Sequence, residues 1–310
     1  MMSALFFEPI PFVTVWGGES IKRYFGYDWM PDRTGQAWAF SAQDKNSNVC
    51  MNGSYAGMTL RELWEKDPQL FGDTDRDFPL IVSLLCPCDR LSIQVHPDAE
   101  RAKAAGYSFG KNEAWYFLEA ARGADIVFGH NAVDENDLLS SVSQGRWDDL
   151  VRHLKVHDDD FVYIPAGTLH ACGANVIVYE VQQSTDVTYR FYDYDRVGAD
   201  GTKRQLHLEQ AIDCLKYGSD LNRERYDARV EAYGGCIRTT YTDSPSFTIE
   251  KLVVDDDAYV LEGACYELVS VVRGTGTVGG EKVAVGSHFL APHGEKVEIA
   301  GNLTCMMTTA

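Results

Sequence analysis

Three short segments, well separated along the chain, carry side chains that share one purpose only if the fold brings them together. They are Leu91-Ser-Ile-Gln-Val-His-Pro-Asp98, Gly110-Lys-Asn-Glu-Ala-Trp-Tyr116 and Ile164-Pro-Ala-Gly-Thr-Leu-His170. Together they offer Gln94, His96, Glu113 and His170 as nitrogen and oxygen ligands for one divalent metal. Gln94 and His96 are two residues apart, so on a strand they point to the same face. The other two arrive from separate elements, as they do inside a β-barrel. No thiolate is needed, which suits zinc or a neighbouring transition metal.

Strand and glycine signals dominate the rest of the chain. Strands are expected over 78–85, 91–95, 114–120, 125–128, 160–164 and 175–182, and again over 235–241, 247–254, 264–272, 281–285 and from 297 to the end. The first is nearly all apolar, the pattern of a strand buried on both faces. Helices are few. Thr59 caps one over 59–66, with Glu62 at the third helical position. A second follows Pro97-Asp98 over 99–105 and stops at Gly106. Further helices are expected over 134–144, 146–154 and 206–217, the last with Leu208, Ala211, Ile212 and Leu215 on one face.

Many short strands at regular spacing predict a mainly β chain of sandwiches or barrels. The polar stretch 220–229 marks a boundary. It divides a metal-binding domain over 1–225, with helical insertions, from a smaller barrel over 226–310. A weak internal repeat supports two barrels. Both Asp160-Phe-Val-Tyr-Ile-Pro-Ala-Gly-Thr-Leu-His170 and Gly286-Ser-His-Phe-Leu-Ala-Pro-His-Gly294 run a strand into Pro-x-Gly. That element resembles the second half-motif of cupins, where the strand delivers a metal-binding histidine just after the turn. The first copy has His170. The second has Val297 at the corresponding place, so the later barrel is expected to lack a metal site.

Charge narrows the choice of partner. The formal net charge is −18, from 46 acidic and 28 basic residues, which argues against nucleic acid or an anionic membrane. An anionic substrate needs a local cluster of Arg or Lys against this field. The longest apolar run, about 78–88, contains two prolines and falls far short of the roughly 20 residues of a membrane helix. The opening Met-Met-Ser-Ala-Leu-Phe-Phe-Glu has no basic n-region. Eight scattered cysteines without a C-x-x-C pair point to free thiols in a reducing cytoplasm. The chain is expected to work there as a monomer or homodimer.

In order along the chain, Trp16-Gly-Gly, Asn52-Gly53, Phe78-Pro-Leu, the three ligand segments and Ser184-Thr-Asp-Val-Thr-Tyr-Arg-Phe-Tyr-Asp-Tyr-Asp-Arg196 resemble type I phosphomannose isomerases of the short bacterial kind. The resemblance spans nearly the whole chain. It implies a bicupin fold with one zinc per chain, and an aldose–ketose isomerase that interconverts mannose 6-phosphate and fructose 6-phosphate through an enediol.

The resemblance also implies roles. Arg190 matches the family's catalytic arginine, and a guanidinium can fork across a phosphate or an enediolate. Glu180 matches an acidic position between the last ligand and that arginine. Lys111 adjoins a ligand segment and is placed to orient it or hold an oxyanion. Ser92 and Arg196 are the substrate-binding candidates. The aromatics from Tyr189 to Tyr194 either line a sugar pocket or belong to barrel core and rim. Two departures stand out. Serine occupies position 83, where the family usually has lysine. Gly35-Gln-Ala-Trp-Ala-Phe-Ser41 replaces two acids, at Gln36 and Ala39. Two other readings therefore stay open: an isomerase or epimerase of another sugar, and a sugar-binding regulatory cupin without catalysis.

Overall fold

The structure is a computed structural model of the chain and describes residues 4–72, 75–198, 201–218 and 228–310. The described residues are mainly β, as the spacing of strand signals predicts, and gather in three large sheets. The central one is six-stranded, in the order Phe161–Ile164, Glu113–Ala120, Val176–Gln183, Leu80–Leu85, Thr34–Phe40 and Ile10–Val13. Every residue of Leu80–Leu85 is buried, in keeping with its unbroken apolar run.

Alternation along these strands divides two cores. Leu84, Tyr116, Tyr179 and Val181 face a core shared with Phe247 and with Ile249, Leu268 and Met306 of the eight-stranded sheet. Leu85, Trp115, Phe117 and Val178 face the other way, toward Leu91, Ile126 and Cys172. That second face is covered by a five-stranded sheet in the order Val151–Lys155, Asp125–His130, His170–Ala171, Ile93–Val95 and Tyr189–Tyr192. Its back is closed by the helices Glu135–Ser143 and Leu208–Cys214, whose Leu138, Ala211 and Cys214 pack on Ile93, Val95 and Phe191.

The eight-stranded sheet takes most of its strands from the last third of the chain, but Leu5–Phe7 joins it by pairing with His288–Ala291. Its long strands Thr248–Glu262 and Glu267–Val278 each carry a bulge where they pair with Lys296–Thr309, which bends them. Val297, the counterpart of the first repeat's ligand, is 2% exposed and packs among Val269, Val271 and Ile299. The expected boundary at 225/226 falls in 219–227, outside the described residues.

Local signals fared unevenly. The helix Leu60–Lys66 has its full capping box, with Thr59 and Glu62 bonding reciprocally. The helix expected over 146–154 is a correction. Only Trp147–Leu150 is helical, and Val151–Lys155 is the edge strand of the five-stranded sheet. Leu150, Val151 and Leu154 suit either period, and pairing with Asp125–His130 decides between them. Thr34–Phe40 escaped sequence reading because Gly35, Ala37 and Ala39 have low strand propensity, yet the strand is almost wholly buried.

Candidate active site

The three ligand segments are tied to one another by backbone bonds. Gly167 N–H donates to the His96 carbonyl at 2.9 Å, and Lys111 N–H donates to the Pro97 carbonyl at 3.0 Å. Ala166 N–H donates to Asn112 Oδ1 at 2.9 Å. Gly167 sits at φ +86°, and a Cβ there would lie 2.8 Å from the Cys214 carbonyl oxygen, so this turn requires glycine. The chain then enters His170, which pairs in register with Gln94. Gln94 pairs on its other side with Arg190. One row of the sheet thus carries His170, Gln94 and Arg190. The facing six-stranded sheet contributes Glu113 level with Gln182, and Glu180 level with Ser83 and Trp115.

His96 and His170 are each 1% exposed. Their Nδ1 atoms lie 2.9 Å from the carbonyl oxygens of Val187 and Thr168 respectively. A carbonyl only accepts, so each Nδ1 carries a hydrogen, and a neutral ring then presents its Nε2 lone pair. Burial, with the Lys111 charge, lowers His96 to about 4 against the pull of Glu113, so its ring is neutral at pH 7. The two Nε2 atoms sit 3.1 and 3.3 Å from the carboxylate oxygens of Glu113. Burial pushes that carboxyl upward, but His96 and Lys111 outweigh it and hold it well below the usual range. Of these two, Lys111 is the cause that survives a neutral His96, and its Nζ lies 3.3 Å away. Glu113 Oε2 is buried with no hydrogen-bond donor.

Two imidazole nitrogens and a carboxylate therefore converge, all within 4.8 Å of one another. Two imidazoles and a carboxylate fit a divalent transition-type ion. Gln94 is beside them, but its amide nitrogen faces the imidazoles, 3.4 and 3.5 Å from their Nε2 atoms, while Oε1 lies 3.5 Å from Ser92 Oγ. A half-turn of the amide exchanges the two atoms.

Glu180 is 5% exposed and accepts from Trp115 Nε1 at 2.8 Å. Burial and the Glu113 charge push it up to about 8, against Lys111, Trp115 and Ser83, so it carries a proton at neutral pH. Gln36 Nε2 donates to Ser83 Oγ at 2.8 Å, so these two departures form one neutral pair behind Glu180. Ala39 lies in the core shared with the eight-stranded sheet, away from this site.

A cavity of about 360 Å³ brings together Ser92, Gln94, Lys111, Glu113, Glu180 and Arg190. It is also lined by Trp38, Gln182, Asp186 and Arg204, which sequence reading did not single out. Gln182 was recoverable, standing two residues after Glu180 on one strand. Arg204 had no local signal. Arg196 does not line the cavity: its guanidinium binds Asp193 at 2.5 Å, Asp89 at 3.5 Å and the Arg90 carbonyl. Phe191 belongs to the core behind the five-stranded sheet, and Tyr189, Tyr192 and Tyr194 pack against it, so these aromatics are core and rim. A larger cavity of about 470 Å³, beside Arg61, Trp64 and Tyr107, contains none of the candidate residues and no imidazole.

Comparison with known proteins identifies the family. Residues 13–122 match the family model "Phosphomannose isomerase type I, catalytic domain". The chain is 37% identical over 311 residues to mannose-6-phosphate isomerase ManA of Bacillus subtilis, covering 98% of each chain. It is 38% identical over 298 residues to the mannose-6-phosphate isomerase of Streptococcus mutans, covering 94% of this chain and 93% of that one. The crystal structure of a mannose 6-phosphate isomerase from Bacillus subtilis superposes with a TM-score of 0.94 at 32% identity, covering 100% of both chains. With its buried donor cluster and near-complete alignment to these enzymes, the chain belongs to the type I phosphomannose isomerase family.

Proposed function

We propose that this chain interconverts mannose 6-phosphate and fructose 6-phosphate through an enediol, using one zinc ion held by His96, Glu113 and His170, with Gln94 as a fourth ligand once its amide turns. The observation that carries the reading is the convergence of two imidazole Nε2 atoms and the Glu113 carboxylate across a few ångströms of buried space. Zinc suits this donor set and, when bound, supplies Lewis-acid polarisation of the sugar's carbonyl oxygen without redox chemistry.

The remaining work falls to the chain's own groups. Isomerisation takes the proton from C2 of the aldose and returns it to C1. A positioned acid–base is required to move it. Glu180, buried and held by Trp115, is the candidate for proton transfer to and from the oxygens of the enediol. Lys111 holds Glu113 in place and faces the same cavity, where its charge favours an oxyanion. Arg190 binds at the other end of the sheet row. The eight free cysteines fit a reducing cytoplasm. No helix among the described residues is long and apolar enough to cross a membrane.

A coupled assay of purified, zinc-loaded protein with mannose 6-phosphate tests the proposal. Activity is expected to vanish on chelation, to return with zinc, and to be absent from H96A and H170A. Turnover that survives both chelation and these substitutions would reject it.

A further inference from the structure

Arg190 and Arg204 both line the cavity, and the chain holds them there differently. Asp193 is 3% exposed, and both of its oxygens are engaged. Arg204 donates Nε to Oδ2 at 2.7 Å and Nη2 to Oδ1 at 2.5 Å, a two-pronged clamp that fixes the plane of the guanidinium. Nη1 is left outside that clamp. Arg196 shares the same carboxylate from the far side, away from the cavity. Asp193 thus serves two guanidinium groups, with Asp89 a further acid 3.5 Å from Arg196.

Arg190 adds a third guanidinium. Its Nη1 donates to the Gln205 carbonyl at 2.8 Å, but its buried Nε has no hydrogen-bond partner. Burial and the neighbouring Arg204 both disfavour its charge, with Asp193 the opposing influence. An unpaired buried donor beside an under-neutralised guanidinium calls for an anion. In a chain of net charge −18 this is a local exception, and a small anion needs one.

Position agrees. Arg190 and His170 flank Gln94 in one row, two strand spacings apart, or about 10 Å. That separation is comparable to an extended six-carbon sugar phosphate, with its carbonyl end at the imidazoles. We propose that Arg204, with Asp193 as its positioning residue, is the second arm of a phosphate fork whose first arm is Arg190. The inference rests on the function proposed above and extends it. It puts Arg204 in the site in place of Arg196, one of the two substrate-binding candidates expected from sequence.

The test compares R204A, R204K and D193N with the parent enzyme, all zinc-loaded and checked by thermal melting. Substrates are mannose 6-phosphate and mannose, with inorganic phosphate as inhibitor. R204A is expected to raise KM for mannose 6-phosphate about 10- to 100-fold, far more than it lowers kcat, and to weaken phosphate inhibition in parallel. The preference for mannose 6-phosphate over mannose should fall by a similar factor. R204K should recover only part of the loss, since an ammonium cannot reproduce the planar clamp. D193N should move KM in the same direction by a smaller factor.

A KM for mannose 6-phosphate within experimental error of the parent, or equal losses on both sugars, would overturn the fork. Calorimetric titration of inorganic phosphate separates this failure from failure of the parent reading. Phosphate binding that R204A abolishes in a protein that turns over no mannose 6-phosphate keeps the fork and rejects the function. Full isomerase activity with binding indifferent to R204A does the reverse.

Discussion

Asn112 touches no candidate metal ion, yet it should govern how well one is held. Its Oδ1 is the partner of Ala166 N–H, its Nδ2 donates to Ser246 Oγ at 3.0 Å, and its backbone N–H is bound by Gln183 Oε1. Asn112→Ala leaves the Ala166 N–H, in a residue 5% exposed, without an acceptor. A buried donor orphaned in this way costs about 1–3 kcal/mol. At about 2.1 cal/mol/K of unfolding entropy per residue, a 310-residue chain changes stability by about 0.65 kcal/mol per degree near its midpoint. The melting temperature should therefore fall by about 2–5 °C. The Pro165-Ala-Gly turn that aims His170 would also loosen, with zinc affinity falling about 10- to 100-fold, the usual effect of losing an outer support. Asn112→Asp keeps an acceptor for Ala166 but loses the donor to Ser246, and should lie between the two. Calorimetry and competitive chelator titration on the three proteins provide the check. If Asn112→Ala melts and binds zinc like the parent, the ligand segments are not held together by this side chain and the reasoning fails.

Three further outcomes follow from the geometry. Burial and the nearby Glu250 charge push Glu267 up to about 8 from an ordinary 4.5, with Arg238 opposing. The folded state therefore holds a proton that the unfolded state has lost between those values, so stability falls as pH rises through this window. Glu267→Gln should flatten that fall, leaving the variant more stable than the parent at pH 8.5 by on the order of a few kcal/mol, with little difference at pH 4.5. Melts at the two pH values that show parallel behaviour would contradict it. Gly167→Ala forces a Cβ toward the Cys214 carbonyl at φ +86° and should cost about 1–3 kcal/mol or more, read by denaturant titration. Glu180→Gln keeps an acceptor for Trp115 but cannot exchange a proton. It should lower kcat about 10²- to 10⁴-fold with the fold intact.

Much of the site was legible because its ligands lie in short strands whose two-residue period is local information. Gln94 and His96, or Glu180 and Gln182, share a face whatever surrounds them. The Pro-x-Gly turn likewise announced His170. What the sequence hid was set by tertiary pairing. Arg196 and Arg204 look equally suited to a phosphate, and only the course of the chain around Asp193 turns one toward the cavity and the other away. Val151–Lys155 reads as helix until Asp125–His130 offers it an edge. Thr34–Phe40, made largely of small residues, becomes a strand because buried neighbours demand a backbone there. The amide face that Gln94 presents is equally beyond a linear reading.

The six-stranded sheet has a consequence beyond positioning. Glu113 and Glu180 stand on strands whose intervening residues, Ala114, Tyr179 and Val181, press against Phe247, Ile249 and Leu268. The last third of the chain supplies none of the candidate ligands, yet it is the foundation on which the acid pair rests. A substitution at Phe247 or Leu268 therefore reaches the reacting groups through a single peptide step.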